Sequence, residues 1–264
     1  MNDYSTVDQM LHEICQIIAK FNRTFVPKED DDSHTNLSFE PLTNRIYGRW
    51  VKNENQNIIL CLELESFQFE LLNDHFQAMG KVSVDGKNIE QVQAETEIML
   101  NKVFSETKNF SAPMHYEIGE QSFLHQPIKK PEPEEIAEWS HYRNMANQAC
   151  FSLQNFLQHF SEIRIWPHHF DTGIYIEASS KVGIGFGLAK KDQMAEDAYF
   201  YFVPYSLGDF SINFKNVPQP TLGKWIISEN WNGVVFRLKD LEKDDLDTLN
   251  KTTKQLTEWV LKNI

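Results

Sequence analysis

Apolar positions at the start of the chain recur at helical spacing. Val7, Leu11, Ile14, Ile18 and Phe21 predict an amphipathic helix over residues 6–22, with Thr6 and Gln9 placed as a capping box. The polar run Lys28-Glu29-Asp30-Asp31-Asp32-Ser33-His34 has nothing to bury and reads as a surface loop. Its acidic triplet lacks the ligand spacing and glycine of a calcium-binding hand. Strand patterns follow at 45–51, at 58–65, where a buried run passes into alternation, and at 67–71. Beyond the Asp85-Gly86 turn signal, Ile89, Val92, Thr96, Met99 and Val103 mark a second helix, and 114–118 reads as a short strand.

The prolines of Pro127-Ile128-Lys129-Lys130-Pro131-Glu132-Pro133 lack amide donors, so this stretch is neither helix interior nor central strand. Glu134 and Glu135 suit the positive end of a helix that carries Ile136, Tyr142, Ala146, Ala149, Leu153, Phe156 and Phe160 on one stripe. Strand patterns then fill 163–166, 174–178, 182–188, 199–204, 224–228 and 234–238. A last helix runs over 244–262, with Leu246, Leu249, Thr253, Leu256 and Val260 inward. Runs of strands separated by a few helices predict an α+β protein, mostly antiparallel sheet flanked by about four helices. The expectation is one α+β domain over 1–264 with a seam at 127–133.

Charge narrows the partners. Lysine and arginine total 25 against 38 acidic residues, a formal charge of −13. A surface that negative repels phosphate backbones and anionic headgroups, so neither nucleic acid nor membrane is an expected partner. The polar N-terminus has no signal-peptide pattern, and no apolar run is long enough to span a bilayer. Cys15, Cys61 and Cys150 are far apart, odd in number and set among apolar neighbours, which reads as reduced core thiols in a cytoplasmic protein. Neither a cofactor nor an oligomeric state is indicated.

The most distinctive chemistry lies in Trp166-Pro167-His168-His169-Phe170-Asp171. In an extended chain His168 and His169 face opposite sides, while His169 and Asp171 share one. His169 with Asp171 is therefore the candidate acid/base pair. No His-x₃-His or Cys-x₂-Cys supplies further metal ligands, so no metal residues are assigned. Gly183-Ile184-Gly185-Phe186-Gly187 has glycines spaced like a phosphate loop, but they sit inside a strand pattern and no helix opens after them. Such glycines mark a bulge or a close backbone approach. Tyr199, Tyr201, Val203 and Tyr205 share one strand face, which serves either a pocket wall or ordinary sheet packing. Gly-x-Ser-x-Gly and His-Glu-x-x-His are both absent.

With these residues in view, the chain resembles a bacterial family of domains of unknown function. The resemblance lies in the Trp166–Asp171 strand entry, the Gly185-Phe186 segment, the polar loop after it and the aromatic strand Tyr199–Tyr205. It implies an architecture and no mechanism. It also implies that Phe170 and Asp171 recur while the two residues before them vary, which makes His168 and His169 the less transferable part. Two functions are expected from the residues. One is binding of a small molecule in an aromatic pocket, with Trp166, His168, Phe170, Tyr199 and Tyr201 as its ligand residues. The alternative is an enzyme using His169 and Asp171, with or without a metal.

Overall fold

The computed structural model describes residues 3–54, 56–107, 109–119, 122–241 and 245–263. Among them are four α-helices and two antiparallel sheets, the α+β architecture that the periodicity predicts. The first half of the chain runs α1 (Tyr4–Phe25), β1 (Ser38–Glu40), β2 (Arg45–Tyr47), β3 (Val51–Asn53), β4 (Gln56–Glu63), β5 (Gln68–Asn73), β6 (Ala78–Ser83) and α2 (Ile89–Leu100). The second half repeats this order of helix, six strands and helix. It runs α3 (Pro133–Leu157), β7 (Arg164–Trp166), β8 (Asp171–Glu177), β9 (Val182–Ala189), β10 (Tyr199–Ser206), β11 (Lys224–Ile227), β12 (Asn232–Arg237) and α4 (Leu246–Lys262). Asp244, where the last helix is expected to begin, lies outside the described residues. No helix among the described residues is long and apolar enough to cross a membrane.

The chain divides into two compact units. The first comprises the described residues of Met1–His141 with Ile165–Phe170; the second comprises those of Tyr142–Arg164 with Asp171–Ile264. The division falls within α3, between His141 and Tyr142, and the proline-rich stretch 127–133 belongs to the first unit.

In the first unit the sheet order is β1-β2-β4-β5-β6, with β3 also paired to β4. The predicted stripe of α1 is buried throughout, and α1 packs on β4 and α2 while α2 packs on β6. Each Leu or Ile buried in this way contributes about 1.5–3 kcal/mol. The helix begins two residues earlier than the pattern suggests, because Asp3 is its cap: the Asp3 carboxylate accepts from the Thr6 amide and hydroxyl, both at 2.8 Å. Thr6 is a donor inside the first turn, not the capping residue. The expected strand at 114–118 is not formed; the chain there is bends and irregular backbone with no ladder partner. Phe67, expected to start a strand, sits in the β4–β5 turn at φ +55.

In the second unit β11-β12-β10-β9-β8 form an antiparallel sheet in that order. Phe186, Phe200, Phe202 and Phe236 are fully buried, as is the stripe of α4 formed by Leu249, Thr253, Leu256 and Val260. Lys254 of α4 places its ammonium 5.0 Å from the Phe156 ring centroid of α3. Helix α3 stops at Leu157, where Gln158 turns left-handed at φ +55, so Phe160 falls beyond the helix and is exposed. All three cysteines are free and buried, and burial first of all pushes the Cys61 thiol up to about 12.

Candidate functional site

The segment after β7 turns instead of running on as a strand. The Phe170 amide donates to the Trp166 carbonyl at 2.6 Å, and Phe170 adopts φ +58. Residues 167–170 are turn, so strand alternation does not apply to His168, His169 and Asp171. The turn is held from α1. The Pro167 carbonyl accepts from His12 Nε2 at 2.9 Å and from Gln16 Nε2 at 2.7 Å. Because a carbonyl only accepts, that contact places a proton on His12 Nε2. The Phe170 ring is fully buried and stacks on the His12 ring at 5.2 Å. A left-handed residue without glycine's freedom costs about 1–2 kcal/mol, which this anchoring offsets.

Outside the anchor, four imidazoles and two aromatic rings gather in the first unit. The His168 ring lies 4.2 Å from His169, 5.6 Å from Tyr116 and 6.0 Å from Trp166. His115 stands edge-on to Tyr116 at 5.0 Å, and its Nε2 is 3.1 Å from Asp32 Oδ2. Asp32 comes from the acidic run expected to be a plain surface loop, and the buried His34 of that run accepts the Glu29 amide at Nδ1. Burial, then the neighbouring His169 and His115, pulls the His168 imidazole down to about 4, with Asp32 opposing. The His34 imidazole is also lowered, chiefly by burial. Among the described residues no group of three His, Cys, Asp or Glu is placed to hold a metal.

Beside this cluster a cleft of about 630 Å³ opens between α1, α2, the irregular chain at 111–118 and Leu124. Glu13, Gln16 and Lys20 enter it from one face of α1, Gln93 and Glu97 from α2, and Tyr116 from the irregular chain. Ile89, Met114, Ile118 and Leu124 give it an apolar side. The Glu13 carboxylate accepts the Ser122 and Phe123 amides at 3.0 and 2.9 Å and so fixes the far wall. Tyr116 belongs to both places: its hydroxyl donates to Gln16 Oε1 at 2.8 Å and its ring adjoins His168. The hydrophobic pattern gave no sign of the cleft, because Glu13, Gln16 and Lys20 look like an ordinary solvated face at spacings of three and four.

The remaining candidates lie in the second unit. Asp171, half-buried, accepts from the Tyr201 hydroxyl at 2.7 Å, and burial with Asp171 holds that phenol well above its usual range. Tyr199 donates instead to Asp192 at 2.9 Å. Next to Asp171, the buried Arg143 donates from Nη1 to the Thr172 hydroxyl at 2.7 Å. The glycines of β9 make room for tyrosines: Gly187 for Tyr201, Gly185 for Tyr205 and Gly183 for Tyr175. Tyr201 is in register with Gly187, and Gly187 with Gly173. A Cβ on Gly187 would lie 2.2 Å from the Thr172 carbonyl oxygen and 2.8 Å from the Tyr201 hydroxyl. The register along β9 is unbroken, so the glycines mark close approach and not a bulge.

The structure thus gathers Trp166, His168 and His169 in the first unit, with Phe170 turned into its interior, and joins Tyr201 to Asp171 in the second. Comparison with protein-family models, curated proteins and solved structures finds no match.

Proposed function

We propose that this protein binds a small organic molecule in the cleft between α1, α2, residues 111–118 and Leu124. The carrying observation is the cleft itself. At about 630 Å³ it falls within the range of small-molecule sites. Its polar floor (Glu13, Gln16, Lys20 and Gln93) faces an apolar side, which suits a ligand with a polar head and a short hydrocarbon body. Tyr116 and the imidazole cluster behind it form the aromatic end. Trp166 and His168 then act on the ligand through Tyr116, as a supporting layer.

The test is a melting-temperature screen of the full chain against alcohols, amines, aldehydes and carboxylates of about four to eight carbons. At least one class should raise the melting temperature in a saturable way. Ala94→Trp, which fills the cleft from an exposed helix position, should weaken that ligand by about tenfold or more while the unliganded melt is unchanged. Equal binding by wild type and Ala94→Trp would refute the reading.

A further inference from the structure

We infer that Lys20 is a carbonyl-reactive amine, and that the cleft takes a small aldehyde or ketone as a reversible imine on Lys20 Nζ. This rests on the cleft being a ligand site and adds the class of ligand and the bond it forms.

Three features of the cleft carry the inference. Lys20 is half-buried in the wall, and its Nζ donates to Gln93 Oε1 at 2.5 Å. Gln93 lines the same cleft, so this hydrogen bond holds Nζ at the cavity wall. Secondly, the cleft carboxylates of α1 and α2 are engaged elsewhere, and Glu117, the remaining lining carboxylate, is exposed. Glu13 holds the Ser122 and Phe123 amides, Glu97 the Ser111 hydroxyl at 2.5 Å, and Glu90 lies 3.1 Å from His125 Nδ1. Among the described residues no carboxylate pairs with Lys20. Thirdly, a fixed cation stands one turn along α1. The Arg23 guanidinium is pinned by the carbonyls of Asn109, Phe110, Ala112 and Pro113 at 2.5–3.3 Å. Burial and then Arg23 lower the Lys20 ammonium from its usual range, which raises the share of neutral amine at ordinary pH. Desolvation together with an adjacent cation is how a lysine becomes a nucleophile toward carbonyls.

The step balances without a further reactant. The neutral Nζ attacks the carbonyl carbon, and one N–H proton passes to the carbonyl oxygen. That hydroxyl takes a proton from solvent, to which the cleft is open, and leaves as water. The nitrogen lone pair closes the C=N bond, giving a protonated imine. Hydrolysis reverses each step.

The experiment treats the full chain with hexanal and sodium cyanoborohydride and maps the resulting secondary amines by peptide mass. Lys20 should be alkylated more than about tenfold faster than the exposed Lys129 and Lys262. Lys20→Arg, which keeps a donor for Gln93, should remove the fast phase with no change in circular dichroism or melting temperature. Hexanol, which has the same chain without the carbonyl, should slow labelling at Lys20 alone. Labelling ordered by exposure, with Lys20 among the slowest, overturns the inference; if hexanol still binds in the cleft, the binding reading survives that result. Fast labelling that neither hexanol nor Ala94→Trp reduces supports the reactive amine and removes the cleft reading instead.

Discussion

At the residue scale, the Asp171 carboxylate accepts a buried tyrosine hydroxyl, and the cost of deleting it can be stated. Asp171→Ala leaves the Tyr201 hydroxyl without its acceptor, a penalty of about 1–3 kcal/mol. Asp171→Asn keeps a carbonyl acceptor and should lose less. Chemical denaturation of both variants with Tyr201→Phe as the third corner checks this, and an additive double-variant cycle would show that the pair is uncoupled. His168 gives a pH effect of definite sign. Unfolded, its imidazole takes up a proton near 6.5; folded, it does so only near 4. Between those values the unfolded chain binds a proton that the folded chain refuses, so this contribution to stability is complete above about 6.5 and is lost as pH falls toward 4. Discounted for the partial exposure of the ring, the loss is about 1–2 kcal/mol. His168→Gln should melt like the wild type at neutral pH and better than it near pH 4.5; parallel pH profiles would contradict the assignment. The residue types at Trp166–Asp171 were enough to single out the segment, but the partner of each side chain was not legible. Tyr201 lies 30 positions from Asp171, and Gln16 lies 151 from Pro167.

At the element scale, periodicity located the helices and most strands, and its misses are local. Strands β1, β3 and β6 have too few alternating apolar positions to stand out, and β6 is exposed at most of its length. The 114–118 segment has a strand-like composition but no ladder partner, and its tyrosine is spent on Gln16. The α1 cap was misplaced because Thr6 and Asp3 are both capping types three residues apart, and only the geometry assigns donor and acceptor. For the glycine strand, residue identity marked either a bulge or a close approach on β9, and the unbroken register decides for the approach. Residue identity could not show that a tyrosine from β10 and the backbone of β8 make it. Gly187→Ala should therefore destabilise by about 2–3 kcal/mol or more, since a Cβ there meets a backbone oxygen that can move only by opening the β8–β9 ladder. Denaturant titration decides it, and a loss below about 0.5 kcal/mol would mean that the ladder yields freely.

At the scale of the whole molecule, net charge is the quantity that reaches furthest. With a formal charge of −13 and some of its cations paired locally with Glu70, Glu95 and Glu162, the protein should bind neither DNA nor RNA at physiological salt. A fluorescence-anisotropy titration giving sub-micromolar affinity would reverse that conclusion. The repeated order of helix, six strands and helix is also a property of the whole chain. The strand orders within the two sheets differ, so the shared order along the chain is not a shared topology. The first sheet carries charged residues such as Arg45, Glu70 and Lys81 on one face, where the second carries tyrosines over glycines.

What the sequence determined by itself was the helices, most of the strands, most of their buried faces and the sign of the net charge. Side-chain direction along a helix or strand follows from backbone geometry common to all chains, and charge is a simple sum. The tertiary structure alone decided that Phe170 turns inward onto His12, that Tyr116 meets Gln16 across 100 residues, and that Lys20 enters a cleft instead of solvent. Those placements depend on how distant segments pack, and a polar side chain carries the same local pattern whether it faces water or a cavity.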